Sequence, residues 1–153
     1  MIVIADTSPI NYLILIDEIH LLRELYGQVI LPEAVFEEMQ RPTTPEKVRS
    51  WISHRPEWVE VRSLGVPTLP LNLGAGEREV ITLAQELQAD LLLMDDKKAR
   101  QVAGERNLVV IGTLAVLATA GRRNLVDLPM ALERLMETSF RASPDVIKSL
   151  LDQ

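Results

Sequence analysis

The stretch that most constrains this chain is its first nine residues, Met1-Ile-Val-Ile-Ala-Asp-Thr-Ser-Pro9. Ile2 to Ala5 form a short apolar run rich in β-branched residues, which reads as a strand buried on both faces, and Asp6 stands at its end. In open α/β sheets ligands bind outside the carboxyl ends of the strands, so a carboxylate there is a site candidate. A purely structural reading competes with it, because Asp6, Thr7 and Ser8 are all good caps for a helix that begins near Pro9. The choice between the two depends on what the rest of the chain supplies.

Ile10 to Leu25 reads as two short helices broken near Asp17, and Tyr26-Gly27 ends them. Gln28 to Leu31 is a second strand, and Pro32 opens a helix through Gln40 whose inward face holds Ala34, Val35 and Met39. Glu38 falls on that same face, at i+4 from Ala34 and i+3 from Val35, where a carboxylate needs a reason. A helix over 46–53 and a weaker edge strand, Trp58 to Val61, follow. Residues 62–76 are rich in Pro and Gly and read as a long, functional loop that delivers Glu77 into the first turn of an amphipathic helix ending at Leu87.

Leu91-Leu-Leu-Met-Asp95-Asp96 repeats the opening pattern, an apolar strand running into carboxylates. Lys97 to Arg106 is then helical, Leu108 to Ile111 is the last strand, and Gly112-Thr113 starts a helix to Gly121. Two amphipathic helices close the chain within 127–152, the second with Ser143 as cap and Pro144 in its first turn. The alternation of short buried strands with helices predicts an α/β fold with a central parallel sheet flanked by helices on both faces, in a single domain over residues 1–153.

Asp6, Asp95 and Asp96 thus stand at strand ends, and Glu38 and Glu77 on inward helix faces. If the two strands are neighbours, these acids crowd one rim of the sheet, where their repulsion calls for a proton or a cation. The chain has no Cys, so a thiolate nucleophile and a Cys-based zinc site are excluded. His20 and His54 have no ligand partner at helical spacing and read as surface or packing residues. An all-oxygen set points to Mg²⁺ or Mn²⁺, whose chemistry includes in-line attack of water on a phosphodiester. A formal charge of −6, from 22 acidic against 16 basic residues, excludes binding to nucleic acid through a broad basic surface but not a metal-dependent nuclease.

These residues carry a resemblance. Asp6-Thr-Ser8 after the first strand, Val35-Phe-Glu-Glu38 on a helix, Gly74-Ala-Gly-Glu77 opening another, Leu92-Leu-Met-Asp-Asp-Lys-Lys-Ala-Arg100 and Ile111-Gly-Thr113 together resemble the PIN domain. Within that superfamily they are most similar to a small prokaryotic branch close to the VapC-type toxin ribonucleases, over residues 1 to about 121. The resemblance implies a Rossmann-like PIN fold and a Mg²⁺- or Mn²⁺-dependent endoribonuclease. It implies catalytic roles for Asp6, Glu38, Glu77, Asp96 and Asp95, and metal ligation by Asp6, Asp96, Glu77 and Asp95, with Asp96 favoured over Asp95. Thr7, Ser8, Thr113, Lys97 and Arg100 would meet the RNA; Thr113 stands where many relatives have an acid or amide. The implied partners are an RNA substrate, an antitoxin protein and a second copy of the chain.

Three alternatives stand beside this reading. A receiver-like protein carries its acidic pair after the first strand, whereas this pair follows the fourth. A haloacid-dehalogenase-type phosphatase needs a second Asp where Ser8 stands. A catalytically degenerate PIN module that only binds a partner keeps the same fold. With no signal-peptide pattern and no apolar run near the roughly 18 residues that span a membrane, a soluble cytoplasmic protein is expected. Apolar residues on the early helices, Ile14, Ile16, Ile19, Leu21 and Leu22, are expected to offer surface to a partner.

Overall fold

The computed structural model describes residues 1–152. In chain order its elements are β1 (Val3–Ala5), α1 (Thr7–Leu15), α2 (Leu21–Tyr26), β2 (Val29–Pro32), α3 (Glu33–Glu38), α4 (Glu46–Ser53), β3 (Val59–Arg62), α5 (Ala75–Leu87), β4 (Leu91–Leu93), α6 (Lys97–Glu105), β5 (Val110–Ile111), α7 (Thr113–Arg122), α8 (Leu128–Met136) and α9 (Pro144–Leu151). The five strands form one parallel sheet in the order β3-β2-β1-β4-β5.

Successive side chains of a strand point to opposite faces, yet every residue of β1, β2 and β4 is buried. Both faces of the sheet are therefore covered, as the unbroken apolar runs predict. From β1 the chain steps to β2 and on to β3; α5 then carries it back across β1 to β4, and α6 leads to β5. The winding direction reverses between β1 and β4, and at such a reversal a crevice opens at the carboxyl ends of the strands. The register Val3↔Leu91, Ile4↔Leu92, Ala5↔Leu93 brings the two ends level.

The breaks have local causes. Asp17 and Gln88 take positive φ angles of 61° and 54°, ending the first helical run and α5. Ser143 caps α9 by accepting from the Val146 N–H at 3.2 Å, with Pro144 behind it, as the sequence predicts. Other expectations need correction. The helix after Pro32 stops at Glu38 instead of Gln40, and Pro32 belongs to β2. The last strand pairs only through Val110 and Ile111 at the sheet's edge, because Asn107 turns with a positive φ of 62° just before it. Ile14, Ile16, Leu21 and Leu22 form no partner face: each is at most 2% exposed, since the short helices α1 and α2 turn these side chains into the core. Among the described residues no helix is long and apolar enough to cross a membrane.

The long connection from β3 to α5 is tied down at two points. Thr82, buried in α5, donates to the Arg78 carbonyl at 2.7 Å and accepts the Leu69 N–H at 3.1 Å. Glu86 receives the Gly65 N–H on its two carboxylate oxygens, at 2.9 and 3.0 Å. Removing both anchors, as in Thr82→Val with Glu86→Ala, is expected to lower stability by about 2 kcal/mol, from roughly 1 kcal/mol for each hydrogen bond. It should also expose residues 63–73 to limited proteolysis. A variant cut no faster than the parent in that segment would show that packing, not these two bonds, holds the loop.

Candidate metal-binding cleft

Asp6 occupies the N-cap position of α1, but its carboxylate makes no cap hydrogen bond. Its backbone N–H donates to the Leu93 carbonyl at 2.9 Å, which extends the β1–β4 ladder one step and pins Asp6 beside the end of β4. The side chain is 7% exposed and lies in a cleft of about 410 Å³ together with Thr7, Glu38, Gly76, Glu77 and Asp96. A methyl group built on Gly76 would stand 3.0 Å from Glu38 Oε2 and 3.4 Å from Asp6 Oδ1. Gly76 is therefore the floor on which the acids of β1 and α3 meet, and a larger residue would press on both.

Each acid is aimed by its element. Glu77, in the first turn of α5, accepts the Gly74 N–H at 3.2 Å, half of a capping box, and so stays at the mouth of the cleft. Asp96 caps α6 by accepting the Ala99 N–H at 2.9 Å and faces Glu77. Asp95 has a different occupation. Its Oδ1 takes the Thr113 N–H and its Oδ2 the Thr113 hydroxyl, both at 2.7 Å. Thr113 is fully buried, so its hydroxyl is committed to Asp95 and does not reach a substrate. Gly112 permits this latch, since a Cβ there would stand 2.7 Å from Asp95 Oδ1.

Of the expected substrate contacts, Thr7 and Ser8 line the cleft. The Thr7 hydroxyl is buried without a hydrogen-bond partner. Lys97 is exposed on the first turn of α6, and Arg100 lines a neighbouring groove. Two cleft residues escape the sequence reading, Glu37 and Arg41. Arg41 follows Glu38 by three positions, the spacing that keeps residues on one helical face, but it lies in the Pro-rich break after the helix.

Burial is the main cause that raises Asp6 from 3.8 to about 7; the Thr7 backbone N–H opposes it, while the charges of Glu77, Glu38 and Asp95 add to it. Glu77 is raised chiefly by burial and next by Asp96. The donors are all oxygen, the crowded acids disfavour their own ionisation, and a buried hydroxyl lacks a partner: in kind this fits a hard divalent cation. Among the described residues no three acids already stand in a ligating arrangement.

A carboxyl whose pKa is higher folded than unfolded is destabilising when ionised. The penalty is full above pH about 7 and disappears as pH falls toward 4, and the interval from 3.8 to about 7 corresponds to at most about 4 kcal/mol. Asp6→Asn is therefore expected to stabilise the metal-free protein by about 2–4 kcal/mol at pH 8, with the gain fading toward pH 4. Denaturant midpoints at the two pH values measure this, and a variant no more stable than the parent at pH 8 would refute the raised pKa of Asp6.

A family model described as DUF3368, PIN domain, matches residues 2–153. No curated protein matches the sequence. Among solved structures, a PilT N-terminus domain protein from the hyperthermophilic archaeon Sulfolobus solfataricus P2 aligns with a TM-score of 0.59 and 20% identity, over 78% of this chain and 93% of that one. At that identity the likeness speaks for the fold alone. With the family model spanning nearly the whole sequence, this chain belongs to the PIN domain family.

Proposed function

We propose that the protein is a Mg²⁺- or Mn²⁺-dependent endoribonuclease acting on single-stranded RNA. The observation that carries this reading is the gathering of Asp6, Glu38, Glu77 and Asp96 around Gly76 at the point where the sheet reverses its winding. PIN domains are in general metal-dependent nucleases, which agrees with it.

Asp6, Glu77 and Asp96 would hold the cation. When bound, it supplies positive charge that lowers the pKa of water and offsets the charge gathering on the phosphoryl oxygens. Glu38, half-buried beside Asp6, is placed to accept the proton of the attacking water. The unpartnered Thr7 hydroxyl can donate to a phosphate oxygen, and Arg41 brings a cation to the cleft's edge. Asp95 does not compete for these roles, because it is held by Thr113 and positions the turn that carries Asp96.

The same reading includes a toxin's role in a toxin-antitoxin pair in the cytoplasm, with a homodimeric toxin. A neighbouring gene for a short DNA-binding protein, its co-purification with this chain, and the mass of the complex in solution are the corresponding tests.

Cleavage is expected with Mg²⁺ or Mn²⁺ and not in excess EDTA, and Asp6→Asn or Glu77→Gln should lower it at least about 100-fold while the fold persists. Full RNase activity in EDTA would overturn the metal assignment. Asp96→Asn should be as severe, whereas Asp95→Asn should act through the lost latch, with a milder loss of about 10- to 100-fold. The opposite ranking in single-turnover rates would make Asp95 the ligand.

A further inference from the structure

Beside the acidic cleft, and sharing Ser8 and Asp96 with it, lies a larger groove of about 640 Å³. Its floor is Tyr12 of α1 and Phe140, whose rings meet edge to face with centroids 5.1 Å apart. The Tyr12 and Ser139 hydroxyls are hydrogen-bonded at 3.0 Å, which ties the segment after α8 to α1. One wall is α9, through Val146 and Leu150; Arg100 of α6 and Arg141 bring two cations to the lining, and Asp95 and Asp96 line its end next to the acidic cleft. The ion pairs among the described residues engage His20, Lys47 and Arg62, so both guanidinium groups are outside them.

We infer that this groove receives the nucleotide adjoining the scissile phosphate, its base against Tyr12, Phe140 and α9, and its phosphate toward Arg100 and Arg141. The inference rests on the nuclease reading above and adds to it where the strand runs. Single-stranded RNA offers a flat, largely apolar base joined to an anion, and proteins take it by lodging the base among aromatic and apolar side chains and meeting the phosphate with Arg. An apolar groove with two unpaired guanidinium groups presents the complement of that pair. Its volume lies within the roughly 300–1,000 Å³ of clefts that enclose small ligands. The two Arg also supply an attraction that the acidic cleft, in a chain of net charge −6, does not. A protein partner laying an amphipathic segment on α9 would use the apolar wall alone.

The test measures binding of a fluorescein-labelled single-stranded RNA of roughly a dozen nucleotides to the full chain, with Ca²⁺ replacing Mg²⁺. Arg141→Gln is expected to weaken binding and to lower the slope of log affinity against log salt by about 0.7, the loss of one phosphate contact. Ala142→Trp, which fills the groove, should raise Kd by about fivefold to a hundredfold. RNA carrying 4-thiouridine should cross-link to peptides containing Tyr12 or Phe140, and less so in Ala142→Trp. Arg141 is exposed, so its variant decides the matter even where Ala142→Trp does not fold. Parental affinity and salt slope in Arg141→Gln, or cross-links confined to other peptides, would overturn the inference. So would loss of a co-purifying protein with RNA affinity unchanged, which assigns the groove to that protein. If neither metal supports cleavage while these binding effects appear, the nuclease reading fails and the groove stands. If cleavage is normal and KM is parental in both variants, the groove fails and the nuclease stands.

Discussion

The parallel pairing of β1 with β4 is the constraint on which the rest of this molecule depends. These strands are separated in sequence by five helices and two other strands, yet they meet in register and continue their ladder into Asp6. That one hydrogen bond beyond the strand sets the Asp6 carboxylate at the reversal point of the sheet. The core around β1 and β4 is wholly apolar, so the acid is forced to the rim and stays dehydrated there. Its raised pKa is thus first a product of burial at the sheet's rim, to which the neighbouring charges of Glu77, Glu38 and Asp95 add.

Adjacent acids with different work illustrate how local geometry divides chemistry. Asp95 and Asp96 follow the same strand, but an extended chain sends successive side chains to opposite sides. One turns toward β5 and α7 and is consumed by Thr113; the other turns toward α5 and keeps an oxygen for the cleft while capping α6. Thr113 therefore completes the site from beneath. A Ser there keeps the hydroxyl but packs less well in a fully buried position, and an Asp would set two carboxylates against each other.

Much of this was legible in the sequence because apolar runs of four residues cannot be satisfied except between two layers, and because two of these runs, Ile2–Ala5 and Leu91–Met94, end in a carboxylate. The runs Ile2–Ala5 and Leu91–Met94 located both central strands, and the i+3 and i+4 spacing placed Glu38 toward the interior. What was not legible depends on distances that periodicity does not carry. Whether Asp95 faces the cleft or Thr113 depends on the phase of a two-residue turn. The contribution of Arg41 depends on how far a Pro-rich segment folds back, and the Tyr12–Ser139 contact joins residues at opposite ends of the chain. The burial of Ile16, Leu21 and Leu22 shows the complementary error: α2 turns Arg23 and Glu24 to solvent and its apolar residues, with Ile16 at the end of α1, into the core instead of toward a partner.

The five acids that line the cleft span positions 6 to 96 and come from the end of β1, from α3, from α5 and from the turn after β4. No N-terminal fragment that stops before β4 carries the full set, and none has the neighbour that pins Asp6 at the rim. During synthesis, then, the charge cluster cannot assemble until more than half of the polypeptide has left the ribosome. A chain growing at the usual 5–20 residues per second carries its acids apart and solvated until the central pair of strands closes.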